Sequence, residues 1–240
     1  VACRVMQELS FIAGGNEGAN LWKLFRIPGI RPPDLDLVLG QYTASDVRGQ
    51  HLVGYREENG VADDSRTETY IGLKAYINNW RWNGVPFYVR SGKRLPTRVT
   101  EVVIHFKQTP HPVFGQNAPE NKLIIRIQPD EAIYLKINNK VPGLGHKMDR
   151  SILDLTYKSK YSVGELPDAY ERLILDVIHG DKRLFIRNDE LEAAWKLFTP
   201  LLETIESENI PPELYPYGSR GPIGAHYLAS RWNVRWGDTN

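Results

Sequence analysis

The sequence predicts an α+β domain, a large and mostly antiparallel sheet with helices packed on one face. Three observations carry this. Segments with two-residue alternation or high β-branched content crowd into residues 67–138. Two of them flank a short turn and read as a hairpin. Helical periodicity enters only afterwards, from residue 167. Strands first and helices later imply segregated layers rather than a βαβ succession.

Each element follows from its own residues. Residues 13–33, AGGNEGANLWKLFRIPGIRPP, are rich in Gly and Pro and read as a loop or linker. The pattern is regular from Leu35 onward. Residues 67–77 alternate Ile71, Leu73, Ala75 and Ile77 with Tyr70, Gly72, Lys74 and Tyr76, which predicts a strand. WNGVPFYVR should run as a strand into a turn at SGKR, and EVVIHFK as another strand. KLIIRIQ and AIYLKIN enclose Pro129, Asp130 and Glu131 as a hairpin. Strand alternation sorts Leu123, Ile125 and Ile127 from Ile124, Arg126 and Gln128, and Ile133, Leu135 and Ile137 from Tyr134 and Lys136. PDAYERLILDVIHG has Pro167 in a first turn and Gly180 as its stop. NDELEAAWKLFTPLLETIES takes Asn188 or Asp189 as cap, with a kink expected at Pro200.

Thirty basic side chains face 29 acidic ones, so no general attraction to nucleic acid or a membrane surface is expected. Cys3 is the only cysteine, which rules out an internal disulfide and a zinc finger and suits a reducing compartment. No apolar run reaches the ~18 residues of a membrane span, and no secretory leader is evident. The chain opens on Val1 rather than Met, which points to a fragment or a processed start. His51, His105, His111, His146, His179 and His226 show no metal-ligand spacing, so no metal is expected. Asp168 and Glu171 are assigned to a helix's first turn, where acids serve its dipole.

One charge cluster stands out against this balance. In FYVRSGKRLPTR, Arg90, Lys93, Arg94 and Arg98 fall within nine residues. Gly92 would let backbone approach a ligand, Lys93 would act as a point charge, and Arg98 would offer a fork of donors. The competing reading is a solvated loop. Likewise Arg126, Gln128, Tyr134 and Lys136 either grip an anion together or form a hydrated sheet face. The run from Gly14 to Gly18 is not G-x-G-x-x-G, and Pro28, Pro32 and Pro33 break the unit that should follow, so no dinucleotide fingerprint is assigned there.

NNWRWNGVPFYVRSGKRL, NKLIIRIQPDEAIYLKINNKVPG, LPDAYERLILDVIHGD, LEAAWKLFTPLLETIE and YGSRGP together resemble, in order and spacing, the C-terminal domain of glucose-6-phosphate dehydrogenase. The resemblance covers residues 35–238 and leaves residues 1–34 as an unmatched segment. The tail from Tyr215 is most similar to plant plastid forms, which implies the chloroplast stroma, with the cytosol as alternative. The family oxidises glucose 6-phosphate with NADP and pairs subunits through the sheet, so a homodimer or tetramer is implied. The resemblance assigns substrate contacts to Lys93, Arg98 and Gln128. It assigns a second, structural NADP to Arg90, Arg126, Tyr134, Lys136, Asp154, Thr156 and Arg220, with Trp236 where some members have a stacking tyrosine. Val99 and Val103 stand where mammalian members carry bases. The family's G-x-x-G-D-L and D-H-Y-L-G-K motifs do not occur in the sequence, and no catalytic residue is assigned. A non-catalytic dimerisation or regulatory module is the other function the sequence allows.

Overall fold

Strand β5 (Tyr70–Ile77) is buried on both faces, which two-residue alternation alone does not reveal. In this computed structural model, which describes residues 25–27, 36–108, 119–161 and 169–231, β5 organises the first of two compact units. That unit comprises residues 1–96 and 173–240, the second 97–172. The glycine-rich run from Gly14 to Gly18, Cys3, His111, Asp168 and Trp236 lie outside the described residues.

In the first unit, β5 pairs antiparallel with β1 (Phe25–Arg26), β2 (Leu37–Thr43) and β6 (Phe87–Gly92). A small hairpin, β3 (Ser45–Val47) and β4 (Gln50–Leu52), follows β2. The β11 strand (Glu213–Pro216) joins β2 in parallel. Ile71, Leu73, Ala75 and Ile77 pack with Leu37 and Leu39 against Ala193, Ala194, Phe198 and Leu201 of a long helix. That helix, α3 (Asn188–Ser207), runs through Pro200 without interruption. Its N-cap is Arg187, not Asn188 or Asp189. The Asp189 carboxylate sits inside the first turn, where it accepts the Glu190 N–H and pairs with Arg187 at 2.7 Å. The opposite sheet face carries Tyr42, Tyr70 and Tyr215, covered by Ala225 of α4 (Ile223–Ser230). Lys74 is buried on β5, and its ammonium meets Asp36 at 2.8 Å.

Unit two is a four-stranded antiparallel sheet in the order β10-β9-β8-β7. Its strands are β7 (Thr100–His105), β8 (Lys122–Gln128), β9 (Ala132–Lys140) and β10 (Met148–Thr156). The predicted hairpin is β8–β9, with Arg126 opposite Ala132 at its turn. A short helix, α1 (Tyr157–Tyr161), follows β10. The next helix, α2 (Ala169–His179), has Glu171 in its first turn and ends at Gly180, whose φ of 68° is the left-handed stop the sequence predicts. The α+β class and its mostly antiparallel character are as the sequence order predicts.

Tyr70 explains three glycines. Its ring is fully buried. A Cβ on Gly92 would lie 2.5 Å from Tyr70 Cδ2, one on Gly221 2.6 Å from Cε2, and one on Gly40 3.0 Å from Cβ. Gly92 is therefore required by a tyrosine ring, a constraint that the sequence did not show. We expect Gly92→Ala to cost about 1–3 kcal/mol through overpacking. Gly221→Ala should cost more, because its φ of 101° is also strained for a side chain. The buried Tyr70 hydroxyl has no hydrogen-bond partner among the described residues, so Tyr70→Phe should stay within about 1 kcal/mol of the parent. Urea unfolding midpoints check all three, and a Tyr70→Phe loss matching the glycine variants would contradict this packing.

Candidate functional site

The basic stretch 87–98 folds as the end of β6 and the turn after it. Gly92 pairs with Tyr70, and the chain then reverses through Arg94, whose φ of 57° is left-handed. Both main-chain groups of Lys93 are fixed. Its N–H donates to Thr69 O at 2.9 Å, and the Tyr215 hydroxyl donates to its carbonyl at 2.8 Å. Gly218 N–H donates to Arg94 O at 2.8 Å, which ties the turn to YGSRGP. Arg94 belongs to the framework. Its guanidinium lies 3.2 Å from Glu58, donates to the Tyr217 hydroxyl at 3.3 Å and sits over the Tyr217 ring at 5.2 Å.

Glu58 also accepts a hydrogen bond from Tyr42. The hydroxyl of Tyr42, then Arg94, hold the Glu58 carboxyl below its usual range. Burial, reinforced by Glu58, pushes Tyr42 up to about 12. The sequence did not single out Tyr42, Glu58, Tyr215 or Tyr217, because they lie 35 or more residues from Lys93 and only the fold gathers them. Lys93 differs from its neighbour. It is exposed, and its ammonium makes no hydrogen bond or ion pair among the described residues. A cation with a rigid backbone and an open head is suited to an anionic ligand. Arg90, opposite Gly72, is half-buried in the same unit, and Arg220 is exposed in the turn after β11.

In the second unit, Arg98 is exposed two residues before Thr100, whose partner across the ladder is Gln128. Arg98 and Gln128 thus stand at one end of the four-stranded sheet. Five of the residues assigned to a dinucleotide share one sheet face. Ile124, Tyr134 and Asp154 make one row across three strands, and Arg126, Ala132 and Thr156 the next. Lys136 extends the face on the other side of Tyr134, between Lys122 and Ile152. The Arg126 guanidinium lies 5.4 Å from the Tyr134 ring centre and 3.7 Å from Glu101. Thr156 Oγ1 donates to Asp154 at 2.7 Å. Ile124 and Ala132 are 1% exposed and Lys136 8%, whereas Ile152 and Asp154 are exposed, so the face is buried over β8 and β9 and open along β10. It offers cations for phosphates, a ring for stacking, and a carboxylate and hydroxyl for sugar or amide groups.

The opposite face is apolar over its central rows, with Ser151, Asp149 and Asn139 toward one end. Ile104, Leu123, Leu135 and Leu153 form a row across all four strands, and Ile104 and Leu153 are exposed.

Comparison with known proteins gives these sites a context. A family model described as "Glucose-6-phosphate dehydrogenase, C-terminal domain" matches residues 20–237. The chain is 53% identical over 216 residues to a chloroplastic glucose-6-phosphate 1-dehydrogenase of Solanum tuberosum, covering 87% of this chain and 37% of that protein. It is 51% identical over 203 residues to the enzyme of Aggregatibacter actinomycetemcomitans, covering 84% and 40%. A solved glucose-6-phosphate dehydrogenase in complex with its substrate glucose-6-phosphate superposes with a TM-score of 0.82 at 39% identity, over 93% of this chain and 45% of that one. The chain thus spans well under half the length of the relatives it matches. It belongs to the glucose-6-phosphate dehydrogenase family, within that family's C-terminal domain.

Proposed function

We propose that this chain is the substrate-positioning and assembly domain of a glucose-6-phosphate 1-dehydrogenase. In that reaction the sugar C1–H bond breaks and its electron pair passes as hydride to the nicotinamide of NADP. The C1 hydroxyl gives up a proton, and 6-phosphogluconolactone forms. The residues assigned here bind and orient; none is given the proton transfer. Lys93 carries the reading, since a backbone held from both sides and an open ammonium are what a phosphate or sugar hydroxyl needs. Arg98 and Gln128, at one end of the second unit's sheet, would offer a charged fork and a neutral amide as substrate contacts of that unit.

The face bearing Arg126, Tyr134, Lys136, Asp154 and Thr156 would hold NADP in a structural rather than a hydride-accepting role. The residues fit such a group, because half-buried cations beside a tyrosine ring match phosphates beside an aromatic base. A non-catalytic assembly module is the second reading. The apolar row through Ile104, Leu123, Leu135 and Leu153 favours pairing of two copies under either reading. We place the protein in the chloroplast stroma on its likeness to chloroplastic relatives; the cytosol is the alternative, and organelle fractionation separates the two.

The 240-residue chain alone should yield no NADPH from glucose 6-phosphate and NADP. Formation of NADPH that Lys93→Ala abolishes would overturn this. Glucose 6-phosphate should shift NMR signals around Lys93, and Lys93→Ala should weaken that binding roughly ten- to a hundredfold while keeping the native circular dichroism spectrum. Loss of structure instead would make Lys93 a framework residue. Sedimentation should show a concentration-dependent dimer that Leu135→Asp converts to monomer, and a parent chain that stays monomeric would refute pairing through this face.

A further inference from the structure

Asn-Gly occurs twice in the sequence, at Asn59–Gly60 and Asn83–Gly84. An asparagine before glycine can react with its own backbone, because no Cβ shields the next amide nitrogen. Both pairs sit in tight turns. Val61 N–H donates to Glu58 O at 3.1 Å, and Val85 N–H to Trp82 O at 3.0 Å. Gly60 and Gly84 have φ of 83° and 74°, and all four residues are exposed. The side-chain amide of Asn59 and the Gly60 N–H make no hydrogen bond among the described residues. A Cβ on Gly60 would meet nothing within 4 Å. Both reacting groups are therefore free to approach each other.

The first pair is distinguished by its neighbour. Glu58 accepts from the Tyr42 hydroxyl and lies 3.2 Å from Arg94, the residue that holds the Lys93 turn. Its own N–H donates to Tyr55 O at 3.2 Å. The chain is fastened on both sides of Glu58. Before it, Glu57 accepts the Gly54 N–H at 3.0 Å, and Arg56 Nε donates to Gln41 Oε1 at 2.8 Å. After it, Gln41 Nε2 donates to Ser65 O at 2.9 Å and to Thr67 O at 3.0 Å. Gln41 is 1% exposed and uses both polar atoms of its side chain on this strap. A longer backbone between Asn59 and Gly60 thus finds little slack, and Glu58 and Val61 must take it up. The second pair has a different setting, in which Trp82 makes an apolar edge contact with Phe87.

We propose that Asn59–Gly60 is a self-modification site, and that its conversion to isoaspartate detaches Glu58 from Arg94 and loosens the Lys93 turn. The Gly60 nitrogen loses its proton and attacks Cγ of Asn59. A C–N bond forms, the Cγ–Nδ2 bond breaks and ammonia leaves, which closes a cyclic succinimide. Water then opens the ring. Opening at one carbonyl gives aspartate. Opening at the other gives isoaspartate, whose backbone runs through Cβ and Cγ and is longer by that methylene. No oxidant or cofactor takes part. The modification goes beyond the substrate reading of Lys93; only its effect on ligand binding rests on that reading.

Ageing the 240-residue chain at mildly alkaline pH, followed by trypsin and mass spectrometry, tests this. Cleavage after Arg56 and Arg66 isolates residues 57–66, and cleavage after Arg81 and Arg90 isolates residues 82–90, so one digest reports both pairs. The first peptide should gain the amide-to-acid mass difference and become a substrate for isoaspartyl methyltransferase. Asn59→Gln should abolish both changes. In the aged parent the NMR signals of the Arg94 and Gly218 amides should move, and glucose 6-phosphate should bind about two- to fivefold more weakly. Asn83→Gln should age like the parent, whereas Asn59→Gln should keep the fresh spectrum. Asn59→Asp, which adds the charge at native backbone length, should keep both amide signals in place. An Asn59 side-chain amide that persists in the aged chain overturns the site. Isoaspartate formation at Asn59 with both signals unmoved overturns the link to the turn, as does an Asn59→Asp variant that reproduces the aged spectrum. A fresh chain that binds no glucose 6-phosphate overturns the substrate reading of Lys93, and the two amide signals then decide the modification site without it.

Discussion

The packing of Tyr70 among glycines is the constraint on which the first unit depends. The ring sits at the start of β5, where β2 and β6 meet it from two sides and the turn at Gly221 closes over it. A ring of that size at a three-way junction leaves no room for side chains on its neighbours, and Gly40, Gly92 and Gly221 follow. Burial pushes the Tyr70 hydroxyl up to about 12, so it stays neutral at physiological pH. The edge contacts of its ring with Tyr215, and of Tyr215 with Tyr42, extend the same packing toward the turn. Tyr215 then fixes the Lys93 carbonyl. One aromatic cluster therefore determines where a lysine stands 23 residues away in the sequence.

Around that turn, adjacent cations have opposite roles. Arg94 spends its donors on Glu58 and Tyr217 and holds the loop. Lys93 spends only its backbone and leaves its ammonium open. A guanidinium is suited to the first task, because its planar fork binds carboxylate and phenol at once. A compact ammonium on a long stem is suited to the second. Counting charge in the sequence merges these roles; the hydrogen bonds separate them.

The second unit divides its labour by face. Two-residue alternation sends Ile104, Leu123, Leu135 and Leu153 one way and Arg126, Tyr134, Lys136 and Asp154 the other. One sheet thus presents an apolar surface suited to a second copy and a charged surface suited to an anion. The division holds over the central rows, while Ser151, Asp149 and Asn139 bring polar groups to one end of the apolar face.

By itself the sequence determined whatever depends on local period and local stops. It placed the β8–β9 hairpin and the face that each of its residues takes, since strand alternation is a property of consecutive residues. It placed the end of α2 at Gly180 and the span of α3, and it drew attention to Lys93 through a density of charge. Tertiary structure decided whatever depends on residues distant along the chain. It added β10 and β11, whose residues 148–156 and 213–216 carry weak alternation and become strands through their partners. It assigned Gly92 to Tyr70, and it moved the cap of α3 to Arg187, since Asp189 is drawn into an ion pair inside the first turn. It set Arg150 beside Lys122, 28 residues apart in the sequence, by folding β10 against β9 and reaching back across it. Periodicity reports which way a side chain points; which groups it then meets is fixed by strand register, and register is a property of the whole sheet.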